Sequence, residues 1–381
     1  ATSAAIYIKS AGKTFITLAE GSENILMNTA EFEAIDDNNI DAVIFSKDDL
    51  ALNGSGTLTI NSENGHGIVS KDDLKITGGT YNITAASHAL SGKDSVRIAA
   101  GTFNLVCGKD GIHSENADDS SKGYVYIAGG EFTIDSTGDG IDASNIVQID
   151  DGTFDITAGG GVENSTKTHE DNMMGGPGGG KGPQMGEAPD GNAPSEKPSG
   201  EAPHGDPGNN SSENSGSDNS SSDRETPPEK PDSNTNQAAG TEQSESDTSD
   251  SDSASTKGIK ADGRLYINGG TFTINSADDS VHSNSAVTIN DGAYTLTTGD
   301  DGVHSGEAVE INGGTITISE SYEGLEGLTV TINDGDIDIT SSDDGINAAG
   351  GTEEMGFGRM GNDSTEDTST DEMWMEINGG Y

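Results

Sequence analysis

The chain has 381 residues, of which 29% are hydrophobic, and a formal net charge of −49 at pH 7. This charge excludes nucleic acid as a natural partner, because an acidic surface repels phosphates. The single cysteine, Cys107, excludes an internal disulfide framework and a metal–thiolate cluster, and no apolar run reaches the ~18 residues of a membrane span.

Residues 1–43 form a lead-in that precedes the regular part of the chain. Apolar and polar residues alternate at Ala5–Ile8 and Thr14–Leu18, which predicts two strand-like pieces. Because the open end of a stack of strands exposes unpaired backbone groups, we expect the lead-in to cap the first repeat.

From residue 44 onward a motif returns almost every 22 residues. Each copy contains a Gly-Ile-like step, and we use its apolar residue as the anchor of the repeat. The anchors are Ile44, Ile68, Leu90, Ile112, Ile141, Val162, Ile259, Val281, Val303, Leu325 and Ile346. A period in this range is typical of a solenoid, in which each repeat buries its apolar residues against its neighbours.

One repeat illustrates the predicted secondary structure. Asp300–Ser305, Val309–Gly314 and Thr315–Ile318 alternate apolar and polar residues, with Gly or Asn at each corner. These runs are too short for helices and rich in β-branched residues. Three strands per repeat predict an all-β chain folded as a parallel β-helix of about 10–11 coils of about 22 residues, whereas the nonapeptide calcium roll has the wrong period.

Residues 166–256 interrupt the repeat. All ten prolines of the chain lie here, from Pro177 to Pro231, among Gly, Ser, Asn and acidic residues. Such a composition buries too little apolar surface to order itself, so we predict a long disordered insert.

The repeat resumes after the insert, so we expect residues 44–165 and 257–381 to be two parts of one domain. Whether Val162 and Ile259 anchor one interrupted coil or two is open from the sequence alone. The chain stops within a repeat at Tyr381, which predicts further coils in the full protein.

Acidic residues recur at fixed positions of the repeat. In a β-helix these positions stack, so the residues two before the anchors place Asp279, Asp301, Glu323 and Asp344 above one another. Two carboxylates about 5 Å apart repel by roughly 3 kcal/mol at an effective dielectric constant of 20, so the ladder needs a compensating charge.

Calcium fits this need, because it takes six to eight oxygen ligands. We therefore predict Ca2+ as the cofactor. The predicted metal ligands are Asp110, Asp139, Asp278, Asp279, Asp300, Asp301, Glu323, Glu326, Asp343 and Asp344. The alternative is that these loops are solvated and use Asp-Gly only for its corner geometry.

Histidines share these columns. His282 and His304 follow their anchors one coil apart, beside Asp279 and Asp301. Imidazole–carboxylate sets bind transition metals, which raises zinc as a candidate. Stacked polar residues are also common on β-helix faces, and the pattern by itself favours that interpretation over zinc.

Aromatic residues fall into two groups. Six share one strand position in phase with aliphatic residues, which predicts an internal stack of Tyr81, Phe103, Phe132, Phe154, Phe272 and Tyr294. Tyr126 and Tyr266 lie between inward residues and should face outward, in a column with Lys75 and Arg97. We predict that these four residues bind carbohydrate, although isolated surface tyrosines are also ordinary.

The recurring Asp-Asp-Gly-Ile/Val-His/Asn and Ile-Asn-Gly-Gly-Thr patterns resemble a bacterial family of carbohydrate-binding β-helix proteins that are lyase-like in shape. The resemblance covers nearly all coils and includes the Gly-Pro-Met-rich insert after Gly159–Asn164 and the restart at Lys257–Ala261. It implies a right-handed parallel β-helix, secreted or attached to the cell surface, that binds calcium and polysaccharides such as pectate or cellulose.

Three functions are consistent with these patterns. The first is a non-catalytic, calcium-dependent module that binds acidic or plant cell-wall polysaccharide. The second is a calcium-dependent polysaccharide lyase, which needs a Lys or Arg base beside the acidified sugar proton. The third is a calcium-stiffened surface stalk or adhesin, for which calcium would raise the melting temperature without glycan affinity.

Overall fold

The computed structural model describes residues 3–32, 40–116, 118–167, 255–349 and 373–380. These described residues belong to one compact unit. Nearly all of the predicted insert therefore lies outside the described residues, and its disorder stays a prediction.

The described residues form 30 β-strands and a single 3-10 turn, Val162–Asn164, which confirms the all-β prediction. No helix among these residues is both long and apolar enough to cross a membrane. The strands stack in three parallel ladders, two of which share one sheet of 20 strands while the third forms a sheet of 10.

The first ladder carries the anchors. It contains β1 (Ile6–Ile8), β4 (Ala42–Ser46), β7 (His66–Ser70), β10 (Leu90–Gly92), β13 (Ile112–Ser114), β16 (Ile141–Ala143), β19 (Ile259–Ala261), β22 (Val281–Ser283), β25 (Val303–Ile311), β27 (Leu325–Ile332) and β29 (Ile346–Ala348). Neighbouring strands pair in parallel with anchor opposite anchor, as in Leu90 opposite Ile112.

The second ladder contains β2 (Lys13–Leu18), β5 (Asp49–Gly54), β8 (Asp73–Ile76), β11 (Ser95–Ile98), β14 (Tyr124–Ile127), β17 (Val147–Ile149), β20 (Leu265–Ile267), β23 (Ala286–Ile289) and β30 (Trp374–Ile377). Strands β25 and β27 are long enough to extend into it. The third ladder contains β3 (Glu23–Asn28), β6 (Thr57–Ser62), β9 (Thr80–Ala85), β12 (Thr102–Cys107), β15 (Glu131–Ser136), β18 (Thr153–Ala158), β21 (Thr271–Ser276), β24 (Ala293–Thr298), β26 (Thr315–Glu320) and β28 (Asp336–Ile339).

The lead-in supplies strands to all three ladders. Strands β1, β2 and β3 pair in register with β4, β5 and β6, so the lead-in residues 6–28 make a three-strand repeat of their own. Their apolar side chains Ile6, Ile8 and Ile16 pack against the main core.

The pairing answers the question about Val162. Ile141 pairs directly with Ile259, so the chain leaves after β18 and rejoins the stack at β19, the next level of the first ladder. Val162 lies in the 3-10 turn and anchors no strand, which makes its inclusion among the anchors wrong. Its Gly-Val step copies the anchor pattern, but no strand within the described residues pairs with it.

The core is a continuous column of inward side chains. The predicted aromatic stack is present, with ring centroids 4.7–5.1 Å apart and ring planes within 2–8° of parallel. The Gly-Gly-Thr corners have a steric cause that Gly152 illustrates. Its φ is +143°, and a Cβ there would lie 2.7 Å from Cε2 of the Phe154 ring, so only glycine fits.

Candidate cation and carbohydrate sites

Apart from Glu326, which is on β27, the predicted acidic ligands lie in the short loops that lead from the third ladder into the first. The loop before β25 illustrates how they are held: the Gly302 N–H donates to the Glu323 carbonyl 3.0 Å away, and the Ser280 N–H donates to the Asp301 carbonyl at the same distance. A Cβ on Gly302 would lie 2.4 Å from Ile318, so the loop packs directly on the core. Successive loops therefore stack, and equivalent carboxylates become neighbours.

Asp278, Asp279 and Asp300 form the first cluster, with one carboxylate oxygen of each within 4.8 Å of the others. Lysines from both edges of the insert bind it. Lys257 Nζ lies 2.6 Å from Asp278 Oδ2 and 3.5 Å from Asp279 Oδ2, and Lys167 Nζ lies 2.8 Å from Asp300 Oδ2. The repulsion expected from the sequence is thus offset here by internal ammonium groups.

The pKa values of this cluster follow its charges. Burial alone would raise the pKa of Asp279, but Lys257 and His282 outweigh it and hold the pKa well below the ordinary value. Burial raises the pKa of Asp300 to about 6, and Asp279 adds to this while Lys167 opposes it. The two lysines therefore supply positive charge to this cluster from within the chain.

Asp301, His304 and Glu326 form the second cluster. His304 Nδ1 lies 3.0 Å from Asp301 Oδ2 and 2.9 Å from Glu326 Oε2. Burial would lower the pKa of His304, but hydrogen bonds to both carboxyl groups outweigh it and raise the pKa to about 11. Burial, with the nearby charge of Asp279, raises the pKa of Asp301.

Glu323, Asp343 and Asp344 form the third cluster, which offers only oxygen ligands. Asn347 Nδ2 donates to both carboxylate oxygens of Glu323, at 2.8 and 2.9 Å. Burial raises the pKa of Glu323 to about 7, and the charges of Glu326, Asp343 and Asp344 add to the shift. Within the described ranges, no lysine or arginine forms an ion pair with these three acids.

Asp110 and Asp139 have different surroundings from one another. Asp110 Oδ2 lies 3.0 Å from His88 Nδ1 and 3.2 Å from His113 Nδ1. Burial would raise the Asp110 pKa, but these histidines hold it well below the ordinary value. Asp139 is 2% exposed and accepts a hydrogen bond from the backbone N–H of Lys257. Burial, with the charges of Asp142 and Asp110, raises the pKa of Asp139 to about 7.

The structure thus places nine of the ten predicted acids in stacked loops and Glu326 on β27, and eight of the ten belong to the three clusters of the second part of the chain. Sequence reasoning missed the lysines that neutralise the first cluster. Lys257 occupies a column position, which was a usable signal, because the next coil carries Asp279 at that position. Lys167 follows the last regular strand before the insert, and nothing in the repeat pattern points to it.

The four predicted carbohydrate-binding residues stand in one row on the outer face of the second ladder. The register places Lys75 beside Arg97, Arg97 beside Tyr126, and Gln148 between Tyr126 and Tyr266. Lys75 is exposed and the others are half-buried. Neighbouring acids orient two of them: Arg97 pairs with Asp73, and the Tyr126 hydroxyl donates to Asp150 Oδ2 at 2.6 Å.

Comparison with known proteins identifies a family that this chain matches. A family model described as "Carbohydrate-binding domain-containing protein" matches residues 1–194 and 214–302. A protein of that description from Acetivibrio thermocellus is 47% identical over 85 residues. That match covers 22% of this chain and 30% of the relative, so the chain spans under a third of it.

A solved structure is also similar in part. It is described as the polysaccharide lyase-like protein from C. thermocellum, in a gadolinium derivative. The match has 41% sequence identity and a TM-score of 0.40, and it covers 42% of this chain and 64% of that one. Since the family model matches well over half of the chain, the protein belongs to the family of carbohydrate-binding domain-containing proteins.

Proposed function

We propose that this member of the carbohydrate-binding domain family is a non-catalytic protein that binds acidic or plant cell-wall polysaccharide outside the bacterial cell, in a calcium-dependent way. The substrate class we infer is pectate or polygalacturonate, with cellulose as the neutral candidate. The observation that carries the proposal is the single row of Lys75, Arg97, Tyr126 and Tyr266 on the second ladder.

The dimensions of the row suit a linear polymer. At about 4.8 Å per strand, the row from Lys75 to Tyr266 is roughly 20 Å long, and the two tyrosines are about 10 Å apart. Amphipathic tyrosine rings can pack on sugar faces, and the basic groups can attract uronate carboxylates. Small ligands usually bind in concave pockets, so an extended row on a sheet face favours an extended glycan.

Calcium has a specific place in this proposal. A protein with a net charge of −49 would repel a polyuronate, and a bound divalent cation can bridge the two anions. We assign calcium first to Glu323, Asp343 and Asp344, because that cluster has only hard oxygen ligands and its acids repel one another. The lysine-bound cluster of Asp278, Asp279 and Asp300 has less need of a metal.

We further propose that the ladders form a right-handed parallel β-helix. The support is that each of the three ladders repeats once per coil and that all their pairings are parallel. The crossover connection between two parallel strands of one sheet is right-handed in nearly all proteins.

A lyase is the weaker candidate, because β-elimination needs a base that can reach the sugar. Lys257 Nζ is bound to Asp278 with 8% of its side chain exposed, and Lys260 Nζ lies 2.9 Å from Asp142 Oδ1. Arg97 pairs with Asp73. The stalk hypothesis leaves the row of basic and aromatic side chains without a role.

The test is retention on insoluble pectate and on cellulose, with calcium and then with chelator, while the supernatant is assayed for unsaturated sugars by ultraviolet absorbance. We expect retention on pectate that chelator abolishes, without product. Unsaturated product would identify a lyase, and calcium-stabilised protein that is retained on neither polymer would favour a stalk.

Two variants separate the two parts of the proposal. Glu323→Gln with Asp344→Asn should reduce calcium's effect on the melting temperature, whereas the exposed Asp338→Asn on β28 should leave it unchanged. An unaltered calcium response in the double variant would refute the assignment of calcium to this cluster, while leaving glycan binding to be judged from the row.

A further inference from the structure

The cluster of Asp301, His304 and Glu326 differs in chemistry from its neighbours. His304 Nδ1 lies within 3.0 Å of both Asp301 Oδ2 and Glu326 Oε2, and one carboxylate oxygen of each acid lies within 4.8 Å of the other. The three atoms therefore form a closed triangle of one nitrogen and two oxygens. Asp301 is 5% exposed and His304 is 7% exposed.

One proton serves two acceptors in this triangle. His304 Nδ1 has a single proton to share between Asp301 Oδ2 and Glu326 Oε2. One divalent cation at the centre would satisfy all three atoms at once. Metal–ligand distances of about 2.0–2.2 Å set ligands roughly 3 Å apart, which is the separation seen from His304 Nδ1 to each oxygen.

Neighbouring groups hold these ligands in place. The other oxygen of Asp301, Oδ1, accepts the backbone N–H of Glu323 at 3.2 Å, which leaves Oδ2 directed at the triangle. The His304 ring stacks on that of His282 at 4.9 Å, with 16° between their planes. Such outer contacts are typical of metal ligands, because they fix ring orientation and carboxylate direction before the ion arrives.

We propose that Asp301, His304 and Glu326 form a site for a first-row transition-metal ion of the zinc class, distinct from the all-oxygen calcium cluster. The imidazole nitrogen decides the metal class, since it suits Zn2+, Co2+, Ni2+ and Cu2+ and is a poor ligand for calcium. Three protein ligands leave a coordination position open to water or to a sugar oxygen. The proposal does not depend on glycan binding.

The repeat contains an internal comparison. Asp279 and His282 have the same spacing as Asp301 and His304, and His282 Nδ1 lies 2.7 Å from Asp279 Oδ2. The register partner of His282 on the next coil is His304, which is not a carboxylate. The register partner of His304 on the next coil is Glu326. Lys257 also lies beside Asp279. His282 therefore lacks the second carboxylate that His304 has. Asp110, His113 and Asp142 repeat the triangle, with His113 Nδ1 3.2 Å from Asp110 Oδ2 and 3.0 Å from Asp142 Oδ2, but there Lys260 Nζ already lies 2.9 Å from Asp142 Oδ1.

The test is Co2+ titration of chelator-treated protein, followed by its visible absorption, in the presence of excess calcium. Wild-type protein should bind Co2+ that zinc displaces and calcium does not. His304→Gln and the nearly isosteric Glu326→Gln should each lose one equivalent or weaken it by about tenfold or more, since even supporting residues matter by that much. His66→Gln, in the first part of the chain and with its Nε2 3.8 Å from the Asp41 carboxylate, should bind as wild type does.

Cobalt that binds at other histidines, such as His88 and His113, would be retained in the His304 and Glu326 variants and so does not confuse the difference. Circular dichroism checks that each variant is folded, and Glu326→Gln keeps the shape of the side chain if His304→Gln does not fold. Equal cobalt binding by wild type and both variants, or full displacement of the cobalt by calcium, would overturn the proposal.

Discussion

Lys257 offers the sharpest test of how the acidic loops are stabilised. Its side chain is 8% exposed, and its ammonium group lies 2.6 Å from Asp278 Oδ2 and 3.5 Å from Asp279 Oδ2. Replacing it with glutamine removes the charge while keeping most of the length of the side chain. Two buried carboxylates then lose the cation that offsets their repulsion.

The size of the effect follows from these distances. A pair of unit charges 4 Å apart interacts by about 4 kcal/mol at an effective dielectric constant of 20. Removing one partner of a buried ion pair typically costs about 3–5 kcal/mol, because the remaining charge stays buried without compensation. We therefore expect Lys257→Gln to lower the free energy of unfolding by about 3–5 kcal/mol in chelator.

Urea unfolding followed by circular dichroism measures this change. The matched control is Lys93→Gln, whose ammonium group pairs with an Asp118 side chain that is 80% exposed. Such a surface pair should contribute under about 1 kcal/mol. Calcium should recover part of the loss in Lys257→Gln, since Lys167 would then be the remaining lysine beside three carboxylates. A loss as small as that of the control would refute the view that lysines replace metal ions in this cluster.

Three other predictions test the core, the third acidic cluster and the row. Phe154→Ala should lower the free energy of unfolding by about 3–5 kcal/mol in urea, because it opens a cavity in the aromatic stack. The Glu323 pKa is raised to about 7, so the folded state holds this proton between pH 4.5 and 7 where the unfolded chain has lost it, and stability in chelator should fall as pH rises through that window. Glu323→Gln should remove this part of the pH dependence in thermal melts. Tyr266→Ala should weaken pectate binding roughly two- to tenfold by calorimetry, as expected for an aromatic contact of about 0.5–1.5 kcal/mol.

Each of these has a matched control. Thr295→Ala, on the exposed face of the third ladder, should leave both stability and glycan affinity nearly unchanged. If it weakened pectate binding as much as Tyr266→Ala does, the glycan face would have been misplaced. For the pH effect, the decisive quantity is the difference between wild type and Glu323→Gln, because the pKa values of Asp300 and Asp139 are also raised, to about 6 and about 7. Identical pH curves would contradict the assigned proton.

Periodicity determined much of the fold. Alternation within short runs and glycine at the corners predicted strands, and the 22-residue period predicted that equivalent residues such as Leu90 and Ile112 would lie in register. The aromatic stack was predictable for the same reason, since in-phase residues of parallel strands must lie above one another. The error at Val162 shows the limit of the method, because a Gly-Val step copies the anchor pattern without a strand to pair with.

The candidate sites were predictable only in part. The sequence by itself determined the stacked acids, because a repeat with Asp at one position must produce a column of carboxylates. Only the tertiary structure decided how each carboxylate is compensated. Lys167 and Lys257 come from the two edges of the insert and bind one cluster, while Glu326 reaches His304 across a coil boundary. Local pattern fixes which residues stack, whereas charge compensation depends on where side chains from distant segments end in space.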